Sequence, residues 1–369
     1  MNAESMQSKP DLFLANGAGE SHEPFRKPSA AAPEASRMSD SIGAAQPTIA
    51  VIIPCYRCRD QILGVLNKIG AEVARVYVVD DACPQHSGEY VKNACTDPRV
   101  TVIQHETNQG VGGAMITGYQ AALAAGVDVM VKVDGDGQMD PASIPELIAP
   151  ILSGEADYTK GNRFYRLESL KQMPVIRKLG NAGLSFTNKA VSGYWDIMDP
   201  TNGFVAVHAK VLALLPLRKI ERRFFFESDM LFRLNLARAV VVDVPMDAQY
   251  SDESSNLKIG KVLFEFPPKY GARLIKRLFY TYFLRDFNLC SLQILAGATL
   301  LLGGLVFGGF HWYINYSRDV FTPTGTIMLA TVQVVLGFQL LLAAASFDVQ
   351  NVPRRCLHQL LLARRSRSF

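Results

Sequence analysis

The chain has 369 residues, of which 49% are apolar and 20% charged, and its formal net charge at pH 7 is +4. That length holds one large domain and a further element. So mild a basic excess gives no argument for a nucleic-acid partner, and no N-terminal apolar run marks a cleaved secretion signal.

Residues 1–47 are rich in Ala, Ser, Pro and Glu without periodicity, and read as a disordered tail. At Thr48 the character changes. Thr48 to Ile53 is a β-branched apolar run stopped by Pro54, as in a buried parallel strand. Asp60 to Val73 carries Ile62, Leu63, Val65, Leu66 and Ile69 at helical spacing. A second strand, Val76 to Val79, ends in Asp80 and Asp81; a helix from Gly88 to Ala94 and a third strand, Val100 to Ile103, follow. Asn108 to Gly113 opens a helix reaching Ala125, and a fourth strand from Val129 ends in Asp134. Strands alternating with helices predict a parallel sheet covered on both faces, with ligands beyond the strands' carboxyl ends. Pro54, Tyr56, Asp80, Asp81, Asp134 and Asp136 all fall there. Among six scattered cysteines only Cys55 and Cys58 form a C-x-x-C. Without a second pair or a nearby His it builds no zinc site, and a redox pair or two incidental thiols remain.

The stretch from Val129 to Asp140 carries the strongest chemical signal. Residues i and i+2 of an extended segment point the same way, so Asp134 and Asp136 aim carboxylates at one point. Such oxygens suit Mg2+ or Mn2+ shared with a substrate's phosphates. A polar turn after a strand is the alternative, since Asp-Gly is an ordinary turn pair. An aspartate after the second strand suits a ribose or nucleobase. The glycine-rich helix start at Gly110 to Gly113 offers N–H groups and a positive dipole end. That start is neither a Walker A loop nor a G-x-G-x-x-G after a first strand, which disfavours hydride transfer to a nicotinamide cofactor.

In combination and order, Ile52 to Tyr56, Val79-Asp80-Asp81, Asn108 to Ala114 and Asp134-Gly135-Asp136 resemble the family 2 glycosyltransferases. Lys160 to Phe164, Asp199 to Phe204 and Phe226 to Asp229 continue the pattern. The chain is most similar to the polyprenyl-phosphate, dolichol-phosphate mannose synthase-like branch. The resemblance implies an α/β domain of GT-A fold over residues 48–250, Rossmann-like with a mixed, mainly parallel sheet. It implies inverting, metal-dependent transfer of a sugar from a nucleotide-diphosphate donor to a polyprenyl phosphate. Pro54, Tyr56, Asp80, Asp81, Asn108, Gly110, Gly113 and Asp134 would bind the donor. Asp134, Asp136 and Gln138 would hold Mg2+ or Mn2+, and Arg163 would face the diphosphate or the acceptor phosphate. Arg177 and Lys258, from their basic amphipathic surroundings rather than from the resemblance, are acceptor-phosphate candidates with a solvated face as the alternative. Asp136, Arg163, Glu227 and Asp229 make up the implied catalytic set. The chain departs from the family pattern at Ala82, Cys83 and Gln85, which replace Gly, Ser and an acid, and at Gly135, where Ala is common. Two alternatives stand beside this reading. One is a glycosyltransferase acting on a hydroxyl of a lipid-linked or surface glycan, with Glu227 or Asp229 as base. The other is a non-catalytic membrane adaptor of the same fold.

After Tyr250, Lys258, Lys261, Lys269, Arg273, Lys276, Arg277 and Arg285 interleave with apolar residues, as in helices lying on an anionic bilayer over residues 251–288. Leu289 to Tyr313 and Gly325 to Phe347 contain no Asp, Glu, Lys or Arg. Each exceeds the roughly 20 residues that span a bilayer, so residues 289–347 read as a transmembrane hairpin. Arginines flank the hairpin on both outer sides, including Arg354, Arg355, Arg364, Arg365 and Arg367, while the link between the spans holds only Arg318. The positive-inside rule then places the catalytic domain, the basic tail at 348–369 and both termini in the cytoplasm, at the inner membrane. The sequence is compatible with a homo-oligomer.

Overall fold

The structure is a computed structural model that describes residues 46–165, 175–246 and 259–366. Most of the expected N-terminal tail, and Lys258, lie outside the described residues. The chain opens with β1 (Ile49–Cys55), α1 (Arg59–Asn67), β2 (Val73–Asp80), α2 (Ser87–Ala94) and β3 (Val100–Gln104). Next come α3 (Val111–Ala124), β4 (Val129–Lys132), α4 (Ile144–Leu152), β5 (Tyr158–Asn162) and α5 (Val175–Ser192). β6 (Val205–His208), α6 (Ala209–Leu212), α7 (Phe226–Ala237) and β7 (Val241–Pro245) complete the sheet layer.

Seven strands form one sheet in the order β3-β2-β1-β4-β6-β5-β7. Only β6 runs antiparallel to its neighbours, β4 and β5. β1 is an almost unbroken apolar run because the sheet is covered on both faces. One layer packs Ala50 and Ile52 with Tyr119 and Met230; the other packs Val51 and Ile53 with Ile62 and Leu147. β1 does not stop at Pro54 as expected. It continues through Cys55, with Pro54 opposite Val79 and Cys55 opposite Asp80.

Beyond the sheet follow α8 (Ile259–Phe279), a π-helical turn (Tyr280–Arg285), α9 (Leu289–Ser317), α10 (Thr324–Gln350) and α11 (Leu357–Ser366). α9 and α10, 29 and 27 residues long, are both long and apolar enough to cross a membrane. They pack closely where small residues meet: a Cβ on Gly297 would lie 3.0 Å from the Gly337 carbonyl.

Two expectations for this end of the chain are corrected. Several cations assigned to the bilayer surface instead face the protein. Lys269 and Arg273 pair with Glu221 at 3.0 and 3.1 Å, and Arg277 pairs with Asp348 at 2.7 Å. The segment read as a tail also folds back against the sheet domain. The Asp157 carboxylate accepts from Leu357 N at 2.8 Å and His358 N at 2.9 Å, satisfying donors at the start of α11.

Candidate active site

β1, β2 and β4 run parallel, so their carboxyl ends open on one edge of the sheet. Register places Lys132 opposite Ile52, and Asp134 follows two residues on. Tyr56, just past β1, is exposed at this edge, and Pro54 is half-buried.

The metal motif keeps both aspartates partly exposed. Asp136 Oδ1 accepts from Gln138 N at 3.0 Å, a local turn that orients the carboxylate. Asp134 Oδ1 accepts from Lys132 Nζ at 2.7 Å. Its second oxygen lies beside Gly203, where a Cβ would come within 2.8 Å. Glycine therefore keeps that oxygen's surroundings open. Two hard carboxylates, one with a cleared oxygen, fit Mg2+ or Mn2+.

Lys132 is the residue that the sequence reading missed. It is 1% exposed, and its Nζ also lies 3.6 Å from Glu227 Oε1 and 3.2 Å from the Gly203 carbonyl. Burial works against its charge, yet Asp134, Glu227 and Asp136 outweigh burial and hold its pKa above the ordinary lysine value. The signal was present in the sequence: a lysine inside the apolar run Val129-Met130-Val131-Lys132-Val133 has to find a buried partner. Lys160, buried on β5, fares differently. Burial dominates there and lowers its pKa to about 8, while its ammonium donates to the Asn202 carbonyl.

Arg163 is gripped by buried Asp199 through a fork, Nε to Oδ2 at 2.7 Å and Nη2 to Oδ1 at 3.1 Å. Residues 199–203 thus hold three cations at once, with Asp199 on Arg163, Asn202 on Lys160 and Gly203 on Lys132. Glu227 stands in the first turn of α7 with its side chain 16% exposed, and Phe225 and Phe226 beside it are core.

Several expected donor contacts are used within the chain instead. Asp81 accepts from Gln109 N at 2.8 Å, Gly110 N at 2.7 Å and His105 Nδ1 at 2.8 Å. Asn108 Nδ2 donates to the Asp81 carbonyl at 3.1 Å, and Gly113 N donates to the Arg222 carbonyl at 3.0 Å. These contacts brace the loop after β2 against the start of α3 and the residues before α7. Gly110 is needed there for its φ of 85° and because a Cβ would come within 2.6 Å of the Arg222 carbonyl. Asp80 binds Cys83 N and Gly88 N, each at 2.7 Å, and so shapes the loop after β2.

Asp229 is likewise withdrawn from the cleft. Fully buried, it accepts from Arg233 at 2.9 Å, Arg273 at 2.8 Å and Glu221 N at 3.0 Å. It ties α8 to α7, and the two guanidinium groups leave it unsuited to the role of base. Arg177 lies on α5, and its side chain, like Lys258, is outside the described residues.

Residues 50–215 match the family model described as Glycosyl transferase family 2. The chain is 30% identical over 238 residues to the UDP-N-acetylglucosamine–dolichyl-phosphate N-acetylglucosaminyltransferase of Methanococcus voltae, covering 60% of this chain and 94% of that protein. It is 31% identical over 202 residues to the undecaprenyl-phosphate mannosyltransferase of Micrococcus luteus, covering 54% and 82%. A solved glucosyl-3-phosphoglycerate synthase from Mycobacterium tuberculosis, in complex with phosphoglyceric acid, is similar at 19% identity and a TM-score of 0.47, covering 63% of this chain and 80% of that one. The protein is a glycosyltransferase of α/β, GT-A type. It belongs to glycosyltransferase family 2.

Proposed function

We propose that this glycosyltransferase moves a sugar, with inversion, from a nucleotide-diphosphate donor to a polyprenyl phosphate at the cytoplasmic face of a membrane. The observation that carries the reading is a single connection. Helix α8 joins α7, the helix that carries Glu227, to the end of a membrane-length helix, through Arg273 to Asp229 on one side and Arg277 to Asp348 on the other. A cleft so tethered stands at a lipid boundary, where a phosphate on a long hydrocarbon tail is presented. Both relatives named above carry a polyprenyl-type phosphate in their names.

Asp134 and Asp136, with Gln138, would hold Mg2+ or Mn2+; such an ion, when bound, neutralises charge developing on the departing nucleotide diphosphate. The chain's own residues do the rest. Tyr56 offers an exposed ring beside Pro54 as a wall for the donor's nucleobase. Arg163, oriented by Asp199, places a fixed positive charge for the acceptor phosphate. A phosphate monoester is already ionised near neutral pH, so its oxygen attacks the anomeric carbon without a base. Glu227 then orients groups through Lys132 rather than removing a proton. Arg177 and Lys258 are the further candidates for gripping the acceptor phosphate. The arginines flanking both spans support a cytoplasmic catalytic domain.

The test uses purified full-length protein in detergent with a panel of UDP- and GDP-sugars. Each is offered with undecaprenyl phosphate and, separately, with a lipid-linked glycan. Labelled polyprenyl-phosphate sugar is the expected product. Product on the glycan alone moves the reading to a hydroxyl acceptor with Glu227 as base. No transfer from any donor to either acceptor overturns it.

A further inference from the structure

A cation already sits where a metal site is expected. Lys132 Nζ lies 2.7 Å from Asp134 Oδ1, 3.6 Å from Glu227 Oε1 and 3.2 Å from the Gly203 carbonyl. Its position is fixed from both sides, because β4 pairs with β1 at Ile52 and with β6 at Val205. Side-chain drift is blocked too: a Cβ on Gly203 would overlap the ammonium, so the 199–203 loop lies directly against it. The ammonium and a divalent ion at Asp134 would be close neighbours of like sign, in surroundings where charges are poorly screened. A donor diphosphate brings negative charge that offsets both. The bare cleft and the donor-filled cleft therefore differ in how readily they accept a second cation.

We infer that Lys132 is a positioning residue that holds Asp134 and Glu227 in the bare protein and makes divalent-cation binding depend on the donor's diphosphate. Asp134 gives one oxygen to the ammonium and keeps the other, beside Gly203, for the metal. This rests on the function proposed above, since it requires Asp134 and Asp136 to be the metal ligands. It goes beyond that function by setting an order: the metal enters with the nucleotide rather than before it. A lysine buried only to support the fold would affect stability and leave the order of binding alone.

The experiment measures free Mn2+ by electron paramagnetic resonance over full-length protein in detergent, with Mn2+ alone and with UDP or GDP added. Wild type, Lys132→Met, Lys132→Gln and Lys132→Arg are compared, with thermal melts to confirm folding. Lys132→Gln retains hydrogen-bonding capacity and serves if the methionine variant unfolds. Wild type is expected to bind Mn2+ weakly alone and more tightly with the nucleotide that fits. The Met and Gln variants should bind Mn2+ alone about tenfold more tightly than wild type, with the nucleotide effect largely gone. Lys132→Arg should keep the wild-type pattern. In transfer assays Lys132→Met should lower kcat far more than it alters the donor KM. If the neutral variants bind Mn2+ no more tightly than wild type, while Asp136→Asn loses it, the Lys132 assignment fails and the metal site stands. If no form binds Mn2+ with either nucleotide, the metal site fails and the Lys132 assignment fails with it.

Discussion

Arg277 on α8 and Asp348 in the last turn of α10 meet through two parallel hydrogen bonds, Nη1 to Oδ1 at 2.7 Å and Nη2 to Oδ2 at 2.8 Å. Both side chains are nearly closed to solvent. Tyr282 Oη donates to the same carboxylate at 2.7 Å and Trp195 Nε1 at 3.4 Å, while Arg277 Nη2 also donates to the Ala190 carbonyl at 2.7 Å. The end of a membrane-length helix, the connecting helix and the loop after α5 thus converge on one acid. A buried pair contributes little net stability over an apolar replacement, but stranding one partner is costly. Arg277→Met alone should therefore cost about 3–5 kcal/mol. Arg277→Met with Asp348→Leu should recover more than half of that. Thermal melting of the detergent-solubilised protein checks both, and equal midpoints for the single variant and wild type would remove the pair from any anchoring role.

Asp136→Asn keeps the size of the side chain and removes a charge from the proposed metal site. Losing one such electrostatic contribution should lower kcat by about 10²–10³-fold. Glu227→Gln separates the two acceptor classes. With polyprenyl phosphate no proton has to be removed, so the loss should be the smaller of the two. With a hydroxyl acceptor the base is gone, and transfer should fall at least as far as in Asp136→Asn. The readout is the initial rate of labelled lipid product for each variant under saturating Mn2+.

The first half of the sheet was legible because its signal is local. β1 to β4 are short runs rich in β-branched residues, and the helices between them carry apolar residues at helical spacing. β4 ends at Lys132 and residues 135–136 form a turn, not the extended segment expected there, so what was legible at Asp134 and Asp136 was the spacing of two acids. β5 was not. Its Tyr158-Thr159-Lys160-Gly161-Asn162 is fully buried yet reads as polar, because Lys160 finds its acceptor at Asn202, 42 positions away. The same limit explains Asp81, Gly110 and Gly113. Their types suit donor binding, and only the fold reveals that Asp81 accepts from Gly110 N and the Arg222 carbonyl from Gly113 N. Asp229 looked like a base until Arg233 and Arg273 were brought to it from two helices.

Asp243 on β7 carries a pH dependence of its own. Burial, ahead of any other cause, raises its pKa to about 6. One oxygen accepts from Met198 N at 2.6 Å, and the other, Oδ1, is buried without a hydrogen-bond partner among the described residues. The folded value lies above the unfolded one of 3.8. The native state therefore holds a proton that the unfolded chain has released, and the resulting stability is full below the unfolded value and lost as pH rises through about 6. Asp243→Asn mimics the protonated form at every pH. Its melting midpoint should match wild type near pH 4 and exceed it increasingly up to pH 7, by on the order of 3 kcal/mol in stability. A constant offset between pH 4 and 8 would show that Asp243 is ionised throughout.

Gly135 lies between the two aspartates, at a place where alanine is common in the family that the sequence resembles, and the structure supplies a reason for the difference. A Cβ there would lie 2.9 Å from Cys58 Sγ, 3.3 Å from Cys58 Cβ and 3.3 Å from Ile62 Cδ1. Cys58 is buried, and its Sγ lies 2.7 Å from that of Cys55, so it has little room to withdraw. Cysteine at one position and glycine at the other are complementary in volume. Gly135→Ala alone should destabilise the sheet domain by about 1–3 kcal/mol through overpacking. It should also weaken Mn2+ binding, because the backbone that yields is the one carrying Asp134 and Asp136. Adding Cys58→Ala opens the space again and should restore both the melting midpoint and the metal affinity. If the double variant melts as low as Gly135→Ala, or lower by the sum of the two single effects, the positions are uncoupled and glycine there has another cause.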